Sequence, residues 1–190
     1  AGMLKTGHNH PGIPLGADGL PTGELKGPEV MTPVGPFVGF ERNLLDADEA
    51  GLRNFAKLCV RTGTTTITDL ASRMDGDTVD MMLRVTNEPQ YPIRLMPFRF
   101  FLGLSAPELV EAVVAMKKKA TDRLRLGQIK IVVDGSIQGF SARLRWPGYH
   151  NGAPNGLWYI VPEHLSELFH LALAAGVQVH IHTNGDQATQ

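Results

Sequence analysis

The sequence carries one cysteine, Cys59, in 190 residues. A single thiol excludes an intramolecular disulfide framework and a multi-cysteine zinc site within the chain. Cys59 falls on the apolar face of a predicted helix, which reads as a buried, inert thiol rather than a nucleophile. A surplus of charge is missing too: the formal net charge is -1, which gives no general attraction to nucleic acid or anionic lipid. The run Lys117-Lys118-Lys119 lies towards a helix C-terminus, where cations suit the helix dipole, so it reads as a solvated face. No uninterrupted apolar run is long enough to span a bilayer, and the first residues lack a basic-then-apolar signal pattern. The expectation is a cytoplasmic protein with neither a membrane nor a nucleic-acid partner. Phosphate-binding signatures are absent as well: Gly135 and Gly139 do not form a dinucleotide fingerprint, and no Gly-Lys-Ser/Thr occurs.

What is there is enough apolar side chain, 43%, to build a real core. Residues 1–45 are dense in Gly and Pro without a sustained period, and read as an irregular insertion segment. Order is expected over 46–190. Asp46-Ala47-Asp48-Glu49 resembles a capping box before a helix that Gly63 closes, and a strand is predicted over 64–70. A helix over 76–87 follows, in which Met81 and Met82 read as core filler, then a strand over 93–102 whose Arg94 and Arg99 are either solvated or ion-paired, or anion-binding. Ser105-Ala106-Pro107-Glu108 is a capping box with Pro in the first turn. After a strand over 128–133 comes a long loop over 140–157, then a helix from Pro162 to Gly176 and a strand over 177–184. Alternating helices and apolar strands argue for a parallel α/β sheet, in a (β/α) barrel or a doubly wound sheet. In both, functional groups gather at the C-terminal ends of the strands.

The chemistry concentrates on 128–139. Along that strand Ile129, Ile131 and Val133 point one way and Lys130, Val132 and Asp134 the other, so an ammonium and a carboxylate share a face. A lysine in so apolar a strand is costly to bury unless it is paired, neutralised or modified. His180 and His182, two apart on the last strand, also share a face and are candidate metal ligands or hydrogen-bonded core residues. Asp186 reads as a helix N-cap, and Asp134 is equally open to a loop-capping reading. His8-Asn9-His10 has a metal-binding spacing, but no apolar strand precedes it and Pro11-Gly12 follows, so it reads as a loop. Arg143, Arg145, Trp146, Tyr149 and His150 make the 140–157 loop able to wall a pocket.

Ile129-Lys130-Ile131-Val132-Val133-Asp134-Gly135-Ser136, followed by Val179-His180-Ile181-His182-Thr183-Asn184-Gly185-Asp186, resembles the amidohydrolase superfamily. More narrowly the chain is similar to the YtcJ-like branch, amidohydrolase family 3. The Pro-Thr-Gly at 21–23 and the Gly-Thr-Thr-Thr-Ile-Thr-Asp at 63–69 fall in that branch's order. The resemblance implies a distorted (β/α)8 barrel, of which this chain covers roughly strands two to five. It implies a carboxylated Lys130 and a ligating His182 as the catalytic and metal-binding positions, on divalent ions that are usually zinc. A bridging hydroxide would attack an amide-type carbonyl of a small-molecule substrate, with Asp134, His180, Arg143, Trp146 and Tyr149 shaping the substrate site. The first-strand His-x-His, strand-six His and strand-eight Asp of the pattern have no matching positions. An internal fragment of a C–N hydrolase, inactive by itself and prone to self-association through open sheet edges, is therefore expected. Two alternatives use the same residues differently: a Schiff-base lyase with Lys130 as nucleophile, and a non-catalytic α/β binding or assembly module.

Overall fold

The computed structural model describes residues 10–35, 48–72 and 74–190, with the side chains of Thr32 and Pro33 left aside. The expected domain limit near residue 45, and Asp46, His8 and Asn9, lie outside the described residues. The elements run α1 (Pro28–Val34), α2 (Glu49–Arg61), β1 (Thr66–Ser72), α3 (Gly76–Thr86), β2 (Arg94–Phe100), α4 (Ala106–Lys117), β3 (Gln128–Val132), α5 (Pro162–Ala174), β4 (Gln178–His182) and α6 (Asp186–Thr189). The strands form one sheet in the order β1-β2-β3-β4, with β1/β2 and β2/β3 parallel. Strands following one another in both sequence and sheet, joined by helices, are consecutive βα units of the kind that build a (β/α) barrel. No helix among the described residues is long and apolar enough to cross a membrane.

The chain divides into two compact units. One comprises 43–131 and 163–181; the other comprises 1–42, 132–162 and 182–190.

In the first unit the core follows from amphipathic periodicity. Ala56 and Cys59 of α2 pack with Val85, Tyr91 and Ile93, while Val79 and Met82 of α3 pack with Met74, Leu95, Leu124 and Leu126. Met82 is thus core filler, and Cys59 is buried and unbridged. The cap of α2 is Asp48, whose side chain accepts from the Gly51 amide, so the helix begins two residues later than the Asp46 box suggests. The α4 box forms as its sequence requires, with the Glu108 carboxylate accepting from the Ser105 amide at 2.9 Å. Within β2, Pro97 has no N–H to give to a ladder. The β1/β2 register slips between Asp69, opposite Pro97, and Ser72, opposite Arg99. Helices α2 and α3 are also tied by charge: Arg53 Nη2 donates to Glu88 Oε1 at 2.7 Å and to Glu49 Oε2 at 3.3 Å, and Arg84 pairs with Glu49.

The second unit is mostly irregular. Its 10–35 segment turns tightly, with Gly16 donating to the Leu20 carbonyl at 2.8 Å, before α1. That helix was not expected in the Gly/Pro-rich stretch; Pro28 opens it after Gly27, which sits at φ 91°.

Candidate functional site

Lys130 belongs to the first unit. Both faces of strand β3 are covered: Ile129 and Ile131 are fully buried on one, and Lys130 on the other is only 6% exposed. Its register partner is Phe100 on β2, and its carbonyl accepts from the Phe101 amide at 3.0 Å. The side chain makes no ion pair among the described residues, and burial pushes the amine below the ordinary lysine range. The buried amine inferred from the strand pattern is therefore present, with a weakened hold on its proton. His180, on β4 of the same unit, is half-buried and meets the Phe98 ring edge-on, centroids 6.0 Å apart at 71°.

The second unit is organised by Asp134, whose side chain is wholly buried. Oδ1 accepts from the Asn184 amide at 2.8 Å. Oδ2 accepts from the Gly185 amide at 2.8 Å and the Arg143 amide at 2.9 Å. This carboxylate fastens the loop after β4 and the start of the 140–157 loop to one point, and its charge is met by three oriented peptide dipoles. Both oxygens are taken by backbone amides, which is the loop-capping arrangement that the sequence also allowed for Asp134. Flanking main-chain bonds reinforce the junction, Val133 N to His182 O at 3.0 Å and Tyr159 N to Val133 O at 2.8 Å.

His182 in this unit is exposed, with Nε2 at 3.0 Å from Asn184 Nδ2. Because the same Nδ2 donates to the Gly135 carbonyl at 2.9 Å, it is the amide nitrogen, so Nε2 accepts. Asp186 does not cap α6. Gly185 occupies that position, and Asp186 Oδ1 accepts from the Arg145 amide at 3.0 Å. Trp146 is 94% exposed. Tyr149 lies edge-on to Phe140 at 5.3 Å and donates to the Ala142 carbonyl at 3.0 Å. His10 accepts from the Gly12 amide at 3.0 Å through Nδ1 and lies 3.3 Å from Glu29, as a loop histidine does.

Arg143 has a different setting. It lines a cavity of about 360 Å³ together with Lys26, Asn155, Trp158 and Tyr159. Sequence reasoning missed Lys26, Trp158 and Tyr159, and nothing local marks them. It also read past Asn184 and Gly185, although an Asn-Gly just after a strand is a loop signal that invites the question of what holds its amides.

Among the described residues no group of three or more His, Cys, Asp or Glu side chains is placed to share a metal ion.

Against known protein families, residues 3–190 match the one described as "Amidohydrolase family". The chain belongs to the amidohydrolase family. Two solved structures resemble this amidohydrolase chain, both described as uncharacterized metal-dependent hydrolases. The protein from Pyrococcus horikoshii is 16% identical with a TM-score of 0.60, over 93% of this chain and 35% of that one. The Pyrococcus furiosus protein is 15% identical with a TM-score of 0.59, over 98% of this chain and 37% of that one. These likenesses establish a shared fold, and the chain spans about a third of the length of either structure. No curated protein matches the amidohydrolase chain.

Proposed function

We propose that this chain carries part of the active site of a metal-dependent hydrolase acting on amide-type C–N bonds other than peptide bonds, of the YtcJ-like branch. The observation carrying the reading is Lys130: a buried strand lysine, unpaired among the described residues, with a lowered affinity for its proton. An amine must be neutral to add to CO2, and the resulting carbamate replaces a costly buried cation by an anion suited to a cation partner. His182 supplies an exposed imidazole at the end of β4. Two donors do not complete a ligand set, and the described residues offer no cluster of three. A divalent ion, zinc in this reading, would contribute Lewis-acid polarisation of the scissile carbonyl. The chain's own part is to hold at position 130 a buried amine whose grip on its proton is weakened, and to fix the loops after β3 and β4 through Asp134.

The test is carbon-13 NMR of protein equilibrated with labelled bicarbonate, with metal content and hydrolysis of N-acyl and cyclic-amide substrates measured alongside. A carbamate resonance that Lys130→Ala abolishes, with metal content falling in both Lys130→Ala and His182→Ala, is the expected result. Unchanged resonance, metal content and hydrolysis in both variants would overturn it. The same lowered amine affinity also favours a Schiff-base lyase with Lys130 as nucleophile. Borohydride trapping of a carbonyl substrate on Lys130 would select that reading.

A further inference from the structure

We propose that the cavity lined by Lys26, Arg143 and Trp158 binds a small organic carboxylate with a flat, apolar body. The inference stands apart from the metal reading, since neither Lys130 nor His182 lines this cavity.

Its volume, about 360 Å³, falls in the range of small-molecule sites, about 300–1,000 Å³. Two cations converge on it. Lys26 is mostly buried, its side chain 17% exposed, and its one carboxylate neighbour, Glu24, is a long 3.5 Å away and half-exposed. Arg143 makes no ion pair among the described residues. Nη1 donates to the Gly156 carbonyl at 2.9 Å, while the buried Nε–H has no acceptor. A guanidinium binds a carboxylate best through two N–H groups at once. The Nε–H is enclosed, so a carboxylate entering the cavity meets the guanidinium through its terminal nitrogens. The acid on the cavity wall, Glu29, is 71% exposed and turned to His10 at 3.3 Å, so Lys26 has only its long pair with Glu24 and Arg143 has no ion pair among the described residues.

The rest of the wall specifies the body of the ligand. Trp158 lies beneath the Arg143 guanidinium, 5.1 Å from carbon to ring centroid, a cation–π contact that fixes the plane of the fork. The Tyr159 ring packs against Gly27, where a Cβ would stand 3.2 Å from Cε1. Two aromatic side chains and Leu157 around a cationic end favour a planar anion over a small hydrated one.

Benzoate is the probe, with uncharged benzamide as its control in shape. The sequence has two tryptophans, so Trp146→Phe leaves Trp158 as the sole indole reporter. In that background the Trp158 indole N–H resonance should shift saturably with benzoate and not with benzamide. Lys26→Met and Arg143→Gln should each weaken benzoate by about tenfold, as loss of one charge-assisted contact does. Should Arg143→Gln fail to fold, Lys26→Met carries the test, because that side chain supports no loop. The proposal is overturned by no shift, by an equal shift with benzamide, by unchanged affinity in Lys26→Met, or by inorganic phosphate displacing benzoate at equal concentration.

Discussion

The Gly185 amide lies 2.8 Å from Asp134 Oδ2, a bond between residues 51 apart in sequence. Asp134 closes β3 and Gly185 opens the turn into α6, so one buried carboxylate fixes where two loops leave their strands. The Arg143 and Asn184 amides complete its shell. Because an ionised carboxylate accepts only, all three bonds keep their donors on the backbone.

Asp134→Asn keeps the shape and removes part of the accepting capacity. The amide nitrogen that replaces one oxygen faces backbone N–H groups and leaves at least one unpaired. The loss is expected to be roughly 2–4 kcal/mol, since hydrogen bonds to charged groups are worth about 1.5–3 kcal/mol each. Urea denaturation of the variant measures it. A loss below about 0.5 kcal/mol, the range of ordinary surface substitutions, would mean that the carboxylate is not the fastener described.

Gly185→Ala tests the closeness of the junction. A Cβ there would fall 1.8 Å from the Arg143 carbonyl oxygen and 2.4 Å from its carbon, both backbone atoms without a rotamer to yield. Overpacking typically costs about 1–3 kcal/mol, and a clash with backbone belongs at or above the top of that range. The thermal midpoint should drop sharply, and an unchanged midpoint would contradict the close approach.

Lys130 predicts a pH dependence. Its folded-state pKa lies below its unfolded value, so between the two the unfolded chain binds more protons and stability rises with pH. Below the folded pKa both states are protonated, and the cost of the buried cation is present in full. In CO2-free buffer, Lys130→Met should be the more stable protein at neutral pH by roughly 1–3 kcal/mol. That advantage should shrink towards about pH 10, near the unfolded lysine pKa. Denaturant midpoints across that range would show it, and a pH-independent difference would argue against a buried amine.

The charge cluster on α2 and α3 predicts the opposite limb. Hydrogen bonds from Arg53 hold the Glu88 carboxyl below its usual range, and those from Arg84 and then Arg53 do the same for Glu49. Their contribution is present above the unfolded carboxylate pKa and lost as pH falls through the folded values. Glu88→Gln should destabilise the protein at neutral pH, and the difference from wild type should vanish in acid. It should also narrow in about 1 M salt, where the screening length is about 3 Å. Chemical denaturation of the pair at two pH values and two salt concentrations checks both.

What could be read from sequence was what is decided locally. The capping box at Ser105 and Glu108, the apolar β3 with its odd lysine, and the strand–helix alternation each depend on neighbours a few residues away. Helix α1 escaped notice because seven residues, Pro at both the first and sixth, are too short for a period to register. Loop capping by Asp134 is one of the two readings its strand-end position allows, but its partners are amides, which every sequence carries and none advertises. Aromatic character alone says nothing of direction, and the Trp146 ring stands in solvent. Lys26 and Trp158 meet at one cavity only through the long-range path of the chain, which no spacing encodes.

The fastening by Asp134 is indifferent to side-chain identity at Arg143 and Asn184, for it grips only what their main chain provides. Residues 146–154 run between that grip and the Asn155 side chain, which accepts from the Leu144 amide at 2.8 Å and donates to its carbonyl at 2.7 Å, with the Tyr149 hydroxyl tying the span back to the Ala142 carbonyl. Such a segment can be exchanged for others of different length and chemistry while its two roots stay in register. A designer seeking new selectivity on this scaffold has a graftable span, pinned at both ends, already in place.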